Sequence, residues 1–299
     1  MFVLKHKKIF LGLSTTLVAL SLLSPLVFGL KLGIDFQGGA LTEVVYTGER
    51  PGQNELNAVL NTLNFGSVLL QPTGESGYIV KTKNLSDPEH ASLLQALALE
   101  GDYSFSELSF NSIGPSVGHE LTRKAIIAVA LVALAIIFFI AFAFRKVSRP
   151  VSSWKYGLIA ILTLMHDVLL PMGLFVFLAR YFGAELDALF VVAILTILGL
   201  SVSDTIVIFD RIRENLRDQT NAKLAFETIV GKSLEQSYVR SIATSLTVIL
   251  VLLTLFFFGP ATTKYFALML TAGMFFGTYS SIFLASPLLV LAEQWQRKK

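Results

Sequence analysis

The chain has no cysteine, and charged side chains make up only 15% of its 299 residues. The first absence excludes disulfides, thiolate zinc sites and thiol chemistry. The second is a deficit, since a soluble domain carries about 25% charged residues. With 54% hydrophobic residues, this chain reads as an integral membrane protein. The net charge of +3 is small and the basic residues gather at the ends of apolar runs. That arrangement orients a chain in a membrane rather than binding nucleic acid. Low-complexity tracts, short repeats, nucleotide-binding loops and nucleophile–base sets are all missing, so neither an enzyme nor a cofactor site is expected.

What is present are six apolar runs, Ile9–Leu30, Ala125–Phe144, Tyr156–Ala179, Ala188–Phe209, Ile242–Phe258 and Tyr265–Ala292. Each approaches or exceeds the roughly 20 residues a spanning helix needs. Lys5, Lys7 and Lys8 precede the first run; Arg145, Lys146, Arg149 and Lys155 follow the second; six basic residues lie between Arg211 and Arg240; and the chain ends Arg297-Lys298-Lys299. The short connections Arg180–Asp187 and Gly259–Lys264 hold one basic residue each. By the positive-inside rule both termini are cytoplasmic. The first run has the flanks of a signal peptide, but its length exceeds the usual h-region of about 7–15 residues, so an uncleaved helix is expected. The chain divides into a first helix (1–30), an extracytoplasmic domain (31–124) and a five-helix membrane bundle (125–299).

The extracytoplasmic segment mixes strand and helix patterns. Ala40–Thr47, Ser67–Leu70, Gly77–Thr82 and Tyr103–Ile113 have strand character. Leu56, Val59, Leu60 and Leu63 follow helical spacing after Pro51-Gly52, and Ser86-Asp87-Pro88-Glu89 caps a second helix carrying Leu93, Leu94 and Leu97. The order β-α-β-β-α-β predicts a small ferredoxin-like α/β sandwich between the first and second membrane helices. His90 and His119 stand isolated in the sequence, so no metal site is expected.

Asp204 is the one charge in Ala188–Phe209. An aspartate at a helix centre costs roughly 2.5–3.5 kcal/mol on insertion scales and marks a partner or a water path. The fifth run is preceded by Arg240, which shares a helical face with Thr244, Thr247 and Thr254, with Ser241 and Ser245 adjacent. Two helices joined by one connection bring Asp204 and Arg240 to the same end. Two readings stand: a protonatable switch, because burial and a nearby arginine move a carboxyl pKa in opposite directions, or a static ion pair that fixes helix register. Asp210, Arg211, Arg213 and Glu214 read as a solvated helix end with i,i+3 and i,i+4 pairs. His166-Asp167, mid-helix in the third run, is a candidate proton-relay pair. Gly273, Gly277 and Ser281 recur every four residues, a packing face, and Pro287 predicts a kink.

Longer motifs now carry a resemblance. Gly33-Ile34-Asp35-Phe36-Gln37-Gly38-Gly39, His166-Asp167-Val168, the stretch Gly199–Asn215 with Ser203-Asp204 and Asp210-Arg211-Ile212-Arg213-Glu214-Asn215, and Ser233–Ser245 with Arg240 in place together resemble the SecF family. This is the smaller half of bacterial SecD–SecF export complexes, within the resistance-nodulation-division superfamily. Ser203 departs from the asparagine common in the family. The resemblance implies a multi-pass protein of the bacterial inner membrane that pairs with SecD beside the SecYEG channel. It implies use of the proton gradient to assist late translocation of unfolded polypeptides, with no cofactor beyond the coupling proton. It places Asp204 and Arg240 on the proton path. Lipids are the remaining partner, and no nucleic acid is expected. The signature glycines Gly33, Gly38 and Gly39 suit a tight exit into the first strand, with Asp35 capping or pairing locally. The alternatives are a half-size lipid or drug exporter of the same superfamily and a membrane assembly factor whose charged pair is structural.

Overall fold

A computed structural model describes residues 2–143, 151–221 and 223–297. The basic residues Arg145, Lys146, Arg149, Lys298 and Lys299 lie outside them. The chain forms two compact units, one comprising residues 1–31, 127–184 and 189–299, the other residues 32–126 with the short segment 185–188.

The first unit is helical. Among the described residues six helices are long and apolar enough to cross a membrane: Lys7–Phe28, Pro115–Ile140, Trp154–Phe182, Ala188–Arg217, Phe226–Phe258 and Ala261–Arg297. These are the six expected spans, but several run further than their apolar cores. The fourth continues to Arg217, so Asp210–Glu214 lies within the helix, where Arg211 pairs with Glu214 at 2.7 Å and Arg213 pairs with Asp210. The fifth begins at Phe226, which places Arg240 well inside a 33-residue helix rather than at its start. Hydropathy finds where a helix enters apolar surroundings, not where its hydrogen bonds begin, and polar helix ends escape it.

The expected packing face of the sixth helix has a specific mate. A β-carbon on Gly273 would lie 2.3 Å from Ile197 Cγ1, and one on Gly277 would lie 3.2 Å from Ser201 Cβ. Ser281 Oγ stands 2.9 Å from Thr205 Oγ1. Residues 273, 277 and 281 thus oppose 197, 201 and 205 in order, so the fourth and sixth helices run parallel, ridge against ridge, with every fourth residue in register. The expected irregularity at Pro287 appears one turn earlier, as a π-helical segment over Ser281–Ala285 followed by α-helix from Ser286 to Arg297. A proline ring collides with the carbonyl four residues before it, and a wider turn relieves that collision without ending the helix.

The second unit holds a four-stranded sheet in the order β2-β3-β1-β4, with β1 (Gly39–Tyr46), β2 (Leu69–Thr73), β3 (Gly77–Thr82) and β4 (Phe105–Ile113). All its pairings are antiparallel. Helices Gln53–Leu60 and Asp87–Leu97 complete the β-α-β-β-α-β order of a ferredoxin-like domain. The β2 strand begins two residues later than its sequence pattern suggests and runs through Pro72, which an edge strand tolerates. Val44, Leu56, Leu60, Val80, Leu93 and Leu97 form the centre of the core. Two tyrosines reach out of that core to backbone carbonyls: Tyr46 Oη donates to Leu97 O and Tyr78 Oη to Pro51 O, each at 2.9 Å. Burial pushes the Tyr46 phenol well above its ordinary pKa. The capping sequence works as written, with Glu89 Oε2 accepting from Ser86 N at 2.9 Å and from Ser86 Oγ at 2.7 Å.

Candidate functional site

Asp167 is the most enclosed charge-bearing side chain of the helical unit, with no exposed surface. The third helix points it inward, and three elements supply its partners. His166 Nδ1 lies 2.8 Å from Oδ1. Ser280 Oγ donates to Oδ2 at 2.7 Å, and Ser201 Oγ donates to the same oxygen. Ser201 and Ser280 come from the parallel fourth and sixth helices, which Gly273 and Gly277 of the sixth let approach. That close approach brings both hydroxyls onto one carboxyl oxygen. Ser280 is also the last α-helical residue before the π segment, and such segments are common where a helix must present an unusual set of side chains.

His166 is 2% exposed, and its Nε2 is buried with no hydrogen-bond partner among the described residues. Its ring lies 6.0 Å from that of Tyr279, nearly parallel to it. With Nδ1 committed to Asp167, Nε2 remains available as the acceptor or donor of a further proton. The two residues are adjacent in sequence and bond to one another, so they act as one unit rather than as two side chains facing different ways.

Asp204 is served differently. It is partly exposed, and the hydroxyls of Ser241 and Thr278 lie beside its carboxylate. Ser241 Oγ is buried and makes no well-formed hydrogen bond. Thr278 donates to Met274 O at 3.0 Å and is also bonded to Ser245. The neighbourhood of Asp204 is therefore built from hydroxyl groups on the fifth and sixth helices. A hydroxyl both donates and accepts, so this lining suits a carboxyl group in either protonation state.

Arg240 does not meet Asp204. It is exposed and makes no ion pair among the described residues. Thr244, Thr247 and Thr254, which share its face, each bond to a carbonyl four residues back on their own helix. The adjacent face, with Ser241 and Ser245 both buried, is the one turned inward. One residue is about 100° of helix, and that step separates the expected Asp204–Arg240 pair from the observed Asp204–Ser241 neighbours. Sequence reasoning also missed Ser201 and Ser280 as partners of Asp167. The available signal was the Gly277 stripe, since Ser201 is the residue Gly277 packs on and Ser280 lies three residues after it.

The Gly33–Gly39 signature lies in the sheet-bearing unit. Gly38 has φ +82° and Gly39 φ +145°. A β-carbon on Gly38 would stand 2.9 Å from Pro115 Cα, and one on Gly39 2.9 Å from Thr82 O. These glycines are required both for backbone conformation and for close approach. Gly33 N donates to Leu186 O at 2.7 Å. Asp35 pairs far along the chain rather than locally: its Oδ2 accepts from Ala188 N at 2.7 Å. His90 is not isolated, since its Nε2 lies 2.9 Å from Glu107 Oε1 and its ring stacks on Phe110 at 3.7 Å. His119 is exposed. No group of three or more histidine, aspartate or glutamate side chains able to hold a metal occurs among the described residues.

Comparison with known proteins places these features. A family model described as protein export membrane protein SecD/SecF, C-terminal, matches residues 94–295, and one described as the SecD/SecF GG motif matches residues 24–47. The protein translocase subunit SecF of Thermobaculum terrenum is 45% identical, over 91% of this chain and 87% of its own length. That of Anaerolinea thermophila is 38% identical, over 98% of this chain and 95% of its own. The protein translocase subunit SecDF of Brucella abortus is 33% identical over 94% of this chain, which spans only 36% of that longer protein. The crystal structure of SecDF from Thermus thermophilus, described as a translocon-associated membrane protein, superposes with a TM-score of 0.82 at 29% identity. It covers 98% of this chain, and this chain spans 38% of it.

Proposed function

This chain belongs to the SecD/SecF family of protein-export membrane proteins, and from that premise we propose that it is the SecF subunit of a proton-driven translocase. In this reading it pairs with a SecD half, as the fused SecDF relatives suggest, and works beside the SecYEG channel on unfolded polypeptides. Both termini are cytoplasmic and the sheet-bearing unit is extracytoplasmic. The observation that carries the proton coupling is Asp204, a partly exposed carboxyl group in an apolar helix, lined by hydroxyls and bound in no ion pair among the described residues. A carboxyl group locked to an arginine cannot exchange its proton readily, whereas one lined by hydroxyls keeps that freedom. His166–Asp167 serves as a second element of the path. Arg240 lies exposed one residue from Ser241, where a cation tunes the field felt by protons without carrying one.

One charge crossing the membrane yields about 2.3 kcal/mol per 100 mV, a bias of roughly fiftyfold on a two-state motion. Asp204→Asn removes the proton exchange and keeps the shape. The variant is expected to assemble with its partner at the parent level while the gradient-dependent part of secretion into membrane vesicles falls by up to about fiftyfold. Parent-like secretion by an assembled Asp204→Asn complex rejects the proton reading.

A further inference from the structure

The fourth membrane helix, which carries Asp204, has its first residue inside the sheet-bearing unit. That unit includes Glu185–Ala188, and Ala188 is the first residue of the helix. Several contacts hold this segment there. Leu32 forms a parallel bridge with Leu186. Gly33 N donates to Leu186 O at 2.7 Å, close enough that a β-carbon at Gly33 would lie 3.1 Å from that same oxygen. Lys81 Nζ pairs with Glu185 Oε1 at 2.9 Å, with both side chains mostly covered. Last, Asp35 Oδ2 accepts from the Ala188 amide at 2.7 Å across 153 residues of sequence.

The Asp35 contact differs in kind from the others. The first turn of a helix has amide groups with no partner inside the helix, and these carry the positive end of the helix dipole. A carboxylate there makes a charge-assisted hydrogen bond that is directional and short. The carboxylate itself comes from a turn that cannot shift freely. Gly38 is pinned against Pro115, and a β-carbon on Gly118 would stand 2.9 Å from Gly38 N and 3.0 Å from Phe36 O. Thr122 Oγ1 lies 3.5 Å from Phe36 O. The turn is therefore packed against the start of the helix that follows β4, with Asp35 bonded to the segment Glu185–Ala188.

We propose that Asp35 is a positioning residue that latches the segment Glu185–Ala188 to the Gly33–Gly39 turn through the Ala188 amide, so that the first residue of the fourth membrane helix is held as part of the sheet-bearing unit. The latch itself stands on geometry that does not depend on protonation.

The test exploits the absence of native cysteine. Glu55→Cys, on an exposed position of the sheet-bearing unit, and Asp187→Cys, on a partly exposed position of the latched segment, each take one spin label in the full chain held in lipid nanodiscs with its partner chain. Inter-label distances are read by pulsed electron resonance. The parent and Asp35→Asn, whose amide oxygen still accepts, give one population. Asp35→Ala gives a second, and amide exchange at Ala188 and Leu189 rises about tenfold. Ala188→Pro separates a latch from general destabilisation. Proline is favoured at a first helical position but has no N–H to donate, so it is expected to reproduce the second population in a folded chain. A single, parent-like population in Ala188→Pro or in Asp35→Ala overturns the latch. Because secretion is not measured, this result is independent of the fate of the proton reading.

Discussion

Asp167 has no exposed surface and side-chain partners from three elements, whereas Asp204 is partly exposed and lies beside two hydroxyls, one of which makes no well-formed hydrogen bond. Both are aspartates in apolar helices of the same unit. The neighbours of Asp167 come from three helices and each forms a hydrogen bond to it, so a change there disturbs three helices at once. The neighbours of Asp204 are under-committed, and Thr278 divides its hydroxyl between its own helix and Ser245. A group that must change state needs surroundings that accept both states at similar cost, and the hydroxyl lining of Asp204 comes closer to that. The difference leaves Asp204 the freer of the two carboxyl groups.

The largest test of that contrast is truncation. Asp167→Ala takes the acceptor from the buried Ser201 hydroxyl and His166 imidazole, and one of two acceptors from Ser280, and is expected to cost about 2–4 kcal/mol. Asp204→Ala should cost less than about 1 kcal/mol. Both are measured by reversible unfolding in mixed detergent micelles, and equal costs would erase the distinction. A smaller effect sharpens it. Ser280→Ala removes one donor from Asp167 and should cost about 1 kcal/mol. Ser241→Ala removes a buried hydroxyl without a well-formed bond and should be neutral or slightly stabilising. A destabilising Ser241→Ala would mean that its bond to Asp204 is formed for most of the time.

Glu89 supplies an exposed carboxylate as the third point of comparison. The Lys83 ammonium, then the Ser86 amide and hydroxyl, hold its pKa down from 4.5 to about 2. A depressed carboxyl pKa contributes stability that is complete above the unfolded value and is lost as pH falls through the folded value. The helix start at Ser86–Glu89 should therefore keep its amide protection above about pH 4.5 and lose it between there and about pH 2. Hydrogen exchange at the Ser86 amide follows this, and Glu89→Gln should flatten the dependence. This is the smallest expected effect, because the pair lies at the surface, where solvent screens it.

Much of this architecture was legible in the chain. An apolar run of spanning length has few alternatives in a protein with 15% charge, and so the six spans were readable. The capping sequence at Ser86 and the alternation in β1 and β4 likewise carried the ferredoxin-like order. The Gly273, Gly277 and Ser281 stripe announced a close contact, although only the structure names Ile197, Ser201 and Thr205 as its mate. The site was read less well. Periodicity places Arg240 and Ser241 on the same helix but cannot say which of two neighbours faces inward, since a rotation of about 100° exchanges them. Asp35 was readable as a turn residue, but its partner lies 153 residues away, beyond any local pattern. Ser201 and Ser280 were hidden because serines in membrane helices commonly bond to their own backbone.

The π segment at Ser281–Ala285 works as a phase shifter in the last helix. Upstream of it, Gly273, Gly277 and Ser280 are aligned to the fourth helix and to Asp167; downstream, Leu289 and Val290 are wholly buried. An unbroken α-helix would serve one of these alignments and miss the other. Deleting a single residue from the segment would turn everything after it by about 100° and draw it back by about 1.5 Å. The two ends of this helix are thus free to answer to different neighbours, and the surplus residue is what lets one continuous rod carry two orientations.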